Sequence, residues 1–236
     1  MKSIISVSVF ILASFLLNAQ SPERFYENSK VGYKNADGTI LVPAQYEAGS
    51  EFKEGLAIVL VGKKRGFINT TGKFLLPAIY DDASSFVNGL AKVSLNEKYG
   101  FINSKGEFLI PAQYEMAADF SEGLALVMLN GLYGFIDNTG KVIIPLQYMG
   151  ANSFSEGFAS VQLNNKWGFI DNSGKTMINF SYDGAHSFSN GEVFVMKGKE
   201  MMVVNKKNRK VRELENEEEE ERERENGKMG KWESKK

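Results

Sequence analysis

Glycines recur in this chain at a fixed step of 34 residues, at Gly32, Gly66, Gly100, Gly134 and Gly168. Pro43, Pro77, Pro111 and Pro145 keep the same step, as do Tyr46, Tyr80, Tyr114, Tyr148 and Tyr182 and the phenylalanines Phe52, Phe86, Phe120, Phe154 and Phe188. A unit of this size cannot bury its own apolar face, so copies must stack and share a core with their neighbours. The period predicts one elongated body over 22–205, with units at 22–55, 56–89, 90–123, 124–157 and 158–191 and a degenerate cap at 192–212.

Each unit reads as β structure. Leu90 to Leu95 alternates Ala91, Val93 and their like with Lys92 and Ser94, the two-residue period of a half-buried strand. Asn96-Glu97, and at the same place Asn130-Gly131, Asn164-Asn165 and Asn28-Ser29, suit a two-residue hairpin turn that needs positive φ. A second strand, Tyr99 to Ile102, leads into Asn103 to Gly106, which fits a type I turn closed by a glycine bulge. Glu107 to Ile110 reads as a third strand, and Pro111 either ends it or makes it an edge, because proline removes a ladder donor. After Tyr114 the stretch to Ser121, with a small residue and then Phe120, reads as a connection passing under the neighbouring unit.

The ends differ from the body. Residues 1–19 carry Lys2, an apolar run from Ile4 to Leu17 and a small residue, Ala19, suited to signal-peptidase cleavage. Such a run is too short to span a bilayer, so it is expected to be a cleaved secretory signal, and the mature chain to be exported to the periplasm, the cell surface or beyond. No transmembrane span is expected after its removal. From Lys206 the sequence is almost wholly polar, and 213–236, with Glu217 to Glu221 unbroken, reads as a charged disordered tail. The 28 basic and 29 acidic residues nearly cancel, so no field favours nucleic acid as a partner. The absence of cysteine excludes disulfides and zinc-thiolate sites.

Lys166-Trp167-Gly168-Phe169-Ile170-Asp171, followed by Gly174-Lys175, resembles the bacterial WG-repeat family, as do Tyr99-Gly100-Phe101, Tyr133-Gly134-Phe135 and the stretch Phe120 to Ala125. The resemblance covers nearly all of the body. It departs at the signature aromatic, which Val31, Arg65 and Met201 replace. It implies an all-β, exported or envelope-associated protein without an established activity. The fold expected is therefore all-β, about six three-stranded meander units in an open twisted superhelix, with a closed six-unit toroid as the alternative.

Catalysis needs unlike groups at one point, whereas repeats spread like groups along a line, and no enzyme activity is expected. The only histidine, His186, stands where other units carry Ser50, Ser84, Ala118 and Asn152, and reads as a loop residue. Glu54, Glu122 and Glu156 share their position with Asn88 and Asn190, which points to a local turn role for it. Asp137 and Asp171 alternate with Asn69 and Asn103 in the same way, so calcium, which wants six to eight oxygens, is not expected. No cofactor or metal is implied. One modulation has a double period: Ile58, Leu60, Leu126, Met128, Phe194 and Met196 are apolar where alternate units are polar. If successive units face opposite ways, these six line one side and form an interaction face for a protein or peptide. The rival expectation is a glycan-binding module in which Tyr99, Tyr133 and Trp167 are stacking platforms.

Overall fold

The computed structural model describes residues 21–214. The expected signal at 1–19 and the tail from residue 215 lie outside the described residues.

All the regular structure described is β, in six antiparallel sheets arranged along the chain. The first sheet contains β1 (Glu23–Glu27), β2 (Lys30–Lys34) and β3 (Ile40–Tyr46). The second contains β4 (Ala48–Gly49), β5 (Leu56–Val61), β6 (Lys64–Asn69) and β7 (Phe74–Tyr80), and the third β8 (Asp82–Ala83), β9 (Ala91–Leu95), β10 (Lys98–Ile102) and β11 (Phe108–Tyr114). The fourth sheet is β12 (Met116–Ala117), β13 (Ala125–Leu129), β14 (Leu132–Ile136) and β15 (Val142–Tyr148), and the fifth β16 (Gly150–Ala151), β17 (Ala159–Leu163), β18 (Lys166–Ile170) and β19 (Thr176–Tyr182). The sixth is β20 (Gly184–Ala185), β21 (Glu192–Lys197), β22 (Glu200–Asn205) and β23 (Lys210–Leu214).

Five of the six sheets thus have four strands rather than the three the sequence suggests. The extra strand comes from the segment that reads as a connection. Asp82 and Ala83 pair with Ser94 and Val93, and the Asp81 and Ser84 amides donate to the Ser94 and Lys92 carbonyls at 2.9 Å. Each repeat therefore gives the first strand of the following sheet, and the backbone itself joins neighbours. The sixth sheet likewise extends past the expected cap: β23 carries ordered pairing to Leu214, so residues 213 and 214 belong to the sheet and not to the tail.

The array is open. Alternate residues of each central strand face the sheets on either side, as the two-residue period requires. Ala91 and Val93 of β9 and Ile102 of β10 pack back onto Leu56, Phe67, Leu76 and Tyr80 of the second sheet. Phe101 of β10 and Ile110 and Tyr114 of β11 pack forward onto Ala117, Ala125, Val127 and Ile136 of the fourth. The remaining clusters join sheets one and two, four and five, and five and six in the same manner. Among the described residues no buried cluster joins the sixth sheet to the first, so the closed toroid is not the arrangement found. The in-phase phenylalanines fill the junctions: Phe154 lies 4.8 Å from Phe135 and Phe188 5.1 Å from Phe169, ring centre to ring centre.

The repeating glycine and proline explain each other. Tyr99 pairs with Tyr114 and Phe101 with Ile110, so β11 bulges between these pairs, at Pro111, Ala112 and Gln113. The bulge folds over Gly100, where a Cβ would stand 2.5 Å from the Ile110 carbonyl oxygen and 2.7 Å from the Ala112 nitrogen. β11 is an edge strand, where the missing proline N–H costs no ladder bond. The hairpin turns have the expected backbone, with φ of 52° at Asn96 and 62° at Glu97. In the following turn the Asn103 side chain accepts the Lys105 and Glu107 amides at 2.9 and 3.1 Å.

Candidate functional site

The six residues of the double-period row are not brought together. Every sheet faces the same way along the array, so Ile58, Leu60, Leu126 and Met128 lie toward the next sheet instead of on one common side, and Phe194 and Met196 lie on the corresponding face of the last described sheet. Ile58 packs against the junction of sheets two and three, and Leu60 lines a recess there that Ala83 of the third sheet closes. Leu126 is buried, 4% exposed, in the junction of sheets four and five, and Met128 is half-buried beside it. Phe194 and Met196 are 47% and 40% exposed, because the sixth sheet has no described successor to cover them.

The three aromatic residues are half-buried and stand at equivalent places on β10, β14 and β18, each packed against a core cluster. Tyr99 has the Lys92 ammonium 5.9 Å from its ring centre. Trp167 lies over the backbone of Gly150, where a Cβ would be 3.0 Å from its ring edge. One face of each ring serves the interior, which leaves partial exposure at a wide spacing rather than a continuous platform.

The carboxylates have structural partners. Asp137 and Asp171 accept hydrogen bonds within their own turns, from Thr139 and Lys141 and from Ser173 and Lys175. The Thr139 hydroxyl bond holds the Asp137 carboxyl below the usual range, and the Ser173 hydroxyl does the same for Asp171. Among the described residues no group of three or more His, Asp or Glu is placed to share a metal ion. The glutamates before the glycines do more than a turn requires. Glu54 accepts the Asn88 and Gly89 amides at 2.6 and 2.9 Å, and Glu122 accepts the Gly157 amide at 2.9 Å, so each ties its repeat to the next.

A second set of carboxylates follows the repeating tyrosine. Glu47, Asp81, Glu115 and Asp183 accept from the hairpin turn of their own sheet or the next and pair with Lys30, Lys64, Lys98 and Lys166. The Lys166 bond is the main reason the Asp183 carboxyl titrates low.

Much of the remaining exposed apolar surface lies on the edge strands. Ile40 of β3, Phe74 and Leu75 of β7, Phe108 and Leu109 of β11, Val142 of β15, Met177 of β19 and Val211 of β23 are between 37% and 53% exposed. They sit at one or other of two adjacent places at the start of the third long strand, so that every sheet exposes apolar side chains there. Val61, Phe74, Leu75, Pro77 and Ala78 line a shallow recess of about 530 Å3. The sequence carried this signal as apolar residues at both strand parities just before the proline, which one buried face alone does not explain. Among the described residues no helix is long and apolar enough to cross a membrane.

The family described as WG containing repeat matches residues 32–64, 66–99, 99–133, 133–167 and 167–200. No curated protein matches the chain in sequence. Among solved structures, the chain is similar to that titled the crystal structure of the eukaryotic initiation factor, at 11% identity and a TM-score of 0.52, over 80% of this chain and 62% of that one. It is also similar to BamB from Moraxella catarrhalis, at 8% identity and a TM-score of 0.49, over 82% and 70% of the two chains. Similarity to Hsv2 from Kluyveromyces lactis has 12% identity and a TM-score of 0.46, over 68% of this chain and 59% of that one. The chain thus spans less than two thirds of the length of the initiation factor and Hsv2 chains. At such identities the likeness bears on the fold alone, a β-propeller-like succession of sheets.

Proposed function

Since the chain belongs to the WG containing repeat family and its sheets form an open array with an apolar side, we propose that it is a non-catalytic interaction module that binds a protein or peptide along that side. The observation that carries this reading is the series of exposed apolar residues from Ile40 to Val211, repeated in every sheet. Exposed apolar surface repeated from sheet to sheet supports contact with a partner. The edge is unsuited to adding a strand, because a proline-containing bulge interrupts it in successive sheets. The partner is therefore held by side chains rather than by a shared ladder. The signal-like residues 1–19 support a setting for this contact at the cell envelope or outside the cell.

The test is site-specific photo-crosslinking in intact cells. A photoreactive residue at Leu75 or Leu109 is expected to give discrete adducts, and one at Gln162 none. Adducts confined to Gln162, or to no position, would overturn the proposal. Mass spectrometry of the protein's N-terminus addresses export separately, with Gln20 expected as the first residue.

A further inference from the structure

We propose that the free face of the sixth sheet holds a soft monovalent metal ion, Cu(I) or its analogue Ag(I), between the His186 imidazole and the thioethers of Met196 and Met201.

Strand pairing places these three groups on one face. Gly184 pairs with Met196 and Ala185 with Val195, and the His186 amide donates to the Phe194 carbonyl at 3.0 Å. Side chains alternate along strands, so Gly184, His186, Phe194 and Met196 share a side. Met196 pairs in turn with Met201, which adds a second thioether on that side. These residues line one recess of about 230 Å3. A Cβ at Gly184 would be in ordinary contact with Met196, 3.6 Å from its Cε, so the end of the Met196 chain rests over the short strand that carries His186.

Only this sheet combines the donors. At the place of His186 the preceding sheets carry Ser50, Ser84, Ala118 and Asn152. At the place of Met196 they carry Leu60, Ser94, Met128 and Gln162, and at that of Met201 Arg65, Tyr99, Tyr133 and Trp167. In those sheets the following sheet covers much of the face, whereas His186, Met196 and Met201 are all exposed.

The donor set selects the metal. Thioether sulfur and neutral imidazole are soft to intermediate ligands that favour Cu(I) over hard, oxygen-seeking cations. Among the described residues no carboxylate lines the recess, and the adjacent Asp183 is engaged by Lys166 and the Gly198 amide. The Phe194 ring, 6.4 Å from that of His186 and nearly perpendicular to it, helps to fix the imidazole and to keep water from one side.

The experiment titrates the full chain, labelled with 13C at the methionine methyl groups, with silver nitrate. One equivalent of Ag(I) is expected to shift the Met196 and Met201 methyl signals together with the His186 ring signals, and to leave Met128 and Met177 unmoved. Zinc is expected to leave the two methyls unmoved. His186→Gln, and the Met196→Leu, Met201→Leu pair, exchange exposed side chains for ones of similar size and should each weaken uptake at least about tenfold. Ag(I) uptake that survives both variants would overturn the proposal, as would a shift spread over all methionines or no uptake at all.

Discussion

Glu156 reaches into the next repeat, where its Oε2 accepts the Gly191 amide at 2.9 Å and lies 3.1 Å from the Lys206 ammonium. The Gly191 amide, and after it Lys206, hold this carboxyl below the usual glutamate range. A carboxyl whose folded value is depressed adds stability that is complete above the unfolded value, about 4.3, and is lost as pH falls through the folded one. Glu156→Ala should therefore lower the unfolding midpoint at neutral pH and converge with the parent chain in acid. Hydrogen exchange at the Gly191 amide should accelerate in the variant at neutral pH.

How far the sequence could be read depends on how far apart the partners stand. Asn96-Glu97 and Asn103 to Gly106 announced their turns because everything they bond lies within a few residues. Asp82–Ala83 was missed as a strand because two residues show no alternation, and its partner strand lies in the next repeat. Glu54 and Glu122 looked like turn residues because Asn takes their place at positions 88 and 190, while the amides they bond are some 35 residues ahead. The row from Ile58 to Met196 was legible as a pattern, but its meaning depended on which way successive sheets face. That orientation is set by packing across the junctions, so Leu126 is buried and the equivalent Phe194 is open.

Gly100 and Pro111 are parts of one device, and removing the first should break it. An added Cβ at Gly100 meets backbone atoms of Ile110 and Ala112, which cannot swing aside as the end of a side chain could. Gly100→Ala should destabilise the protein by about 3 kcal/mol, at the upper end for overpacking. Urea unfolding followed by far-UV circular dichroism checks this, and a loss under about 1 kcal/mol would mean that the bulge is not needed.

The core rings give a complementary expectation of opposite kind. Phe154 is buried between sheets four and five and packs against Phe135. Phe154→Ala leaves a cavity at that junction and should cost about 3–5 kcal/mol. Because each sheet leans only on its neighbours, unfolding should lose its single sharp transition, with the parts on either side of the junction melting separately. Calorimetry reads this directly, and one unchanged transition would contradict it.

Leu132 and Met149 occupy the two places that hold an ion pair in the other junctions, such as Lys166 with Asp183 at 2.5 Å. Both are exposed, Met149 at 56%. Replacing them together, Leu132→Lys with Met149→Asp, should restore the pair and raise the melting temperature slightly at low salt. The gain should vanish in high salt, as screening of an exposed pair requires. Either substitution alone should bring none, and a double-mutant cycle separates these cases.

Trp167 offers the means to decide between a protein partner and a glycan. Its ring is half-buried, packed on the junction of sheets five and six and over Gly150, so acrylamide should quench it to an extent between that of a free and a fully shielded indole. The measurement needs Trp232→Phe, because the chain has a second tryptophan. With one face of the ring committed to the interior, a sugar could stack only on the other, and the equivalent Tyr99 already has Lys92 beside it. Soluble cell-wall polysaccharide should therefore leave the Trp167 emission unchanged. A saturable blue shift of the Trp167 emission would move the binding surface from the apolar edge strands to these rings.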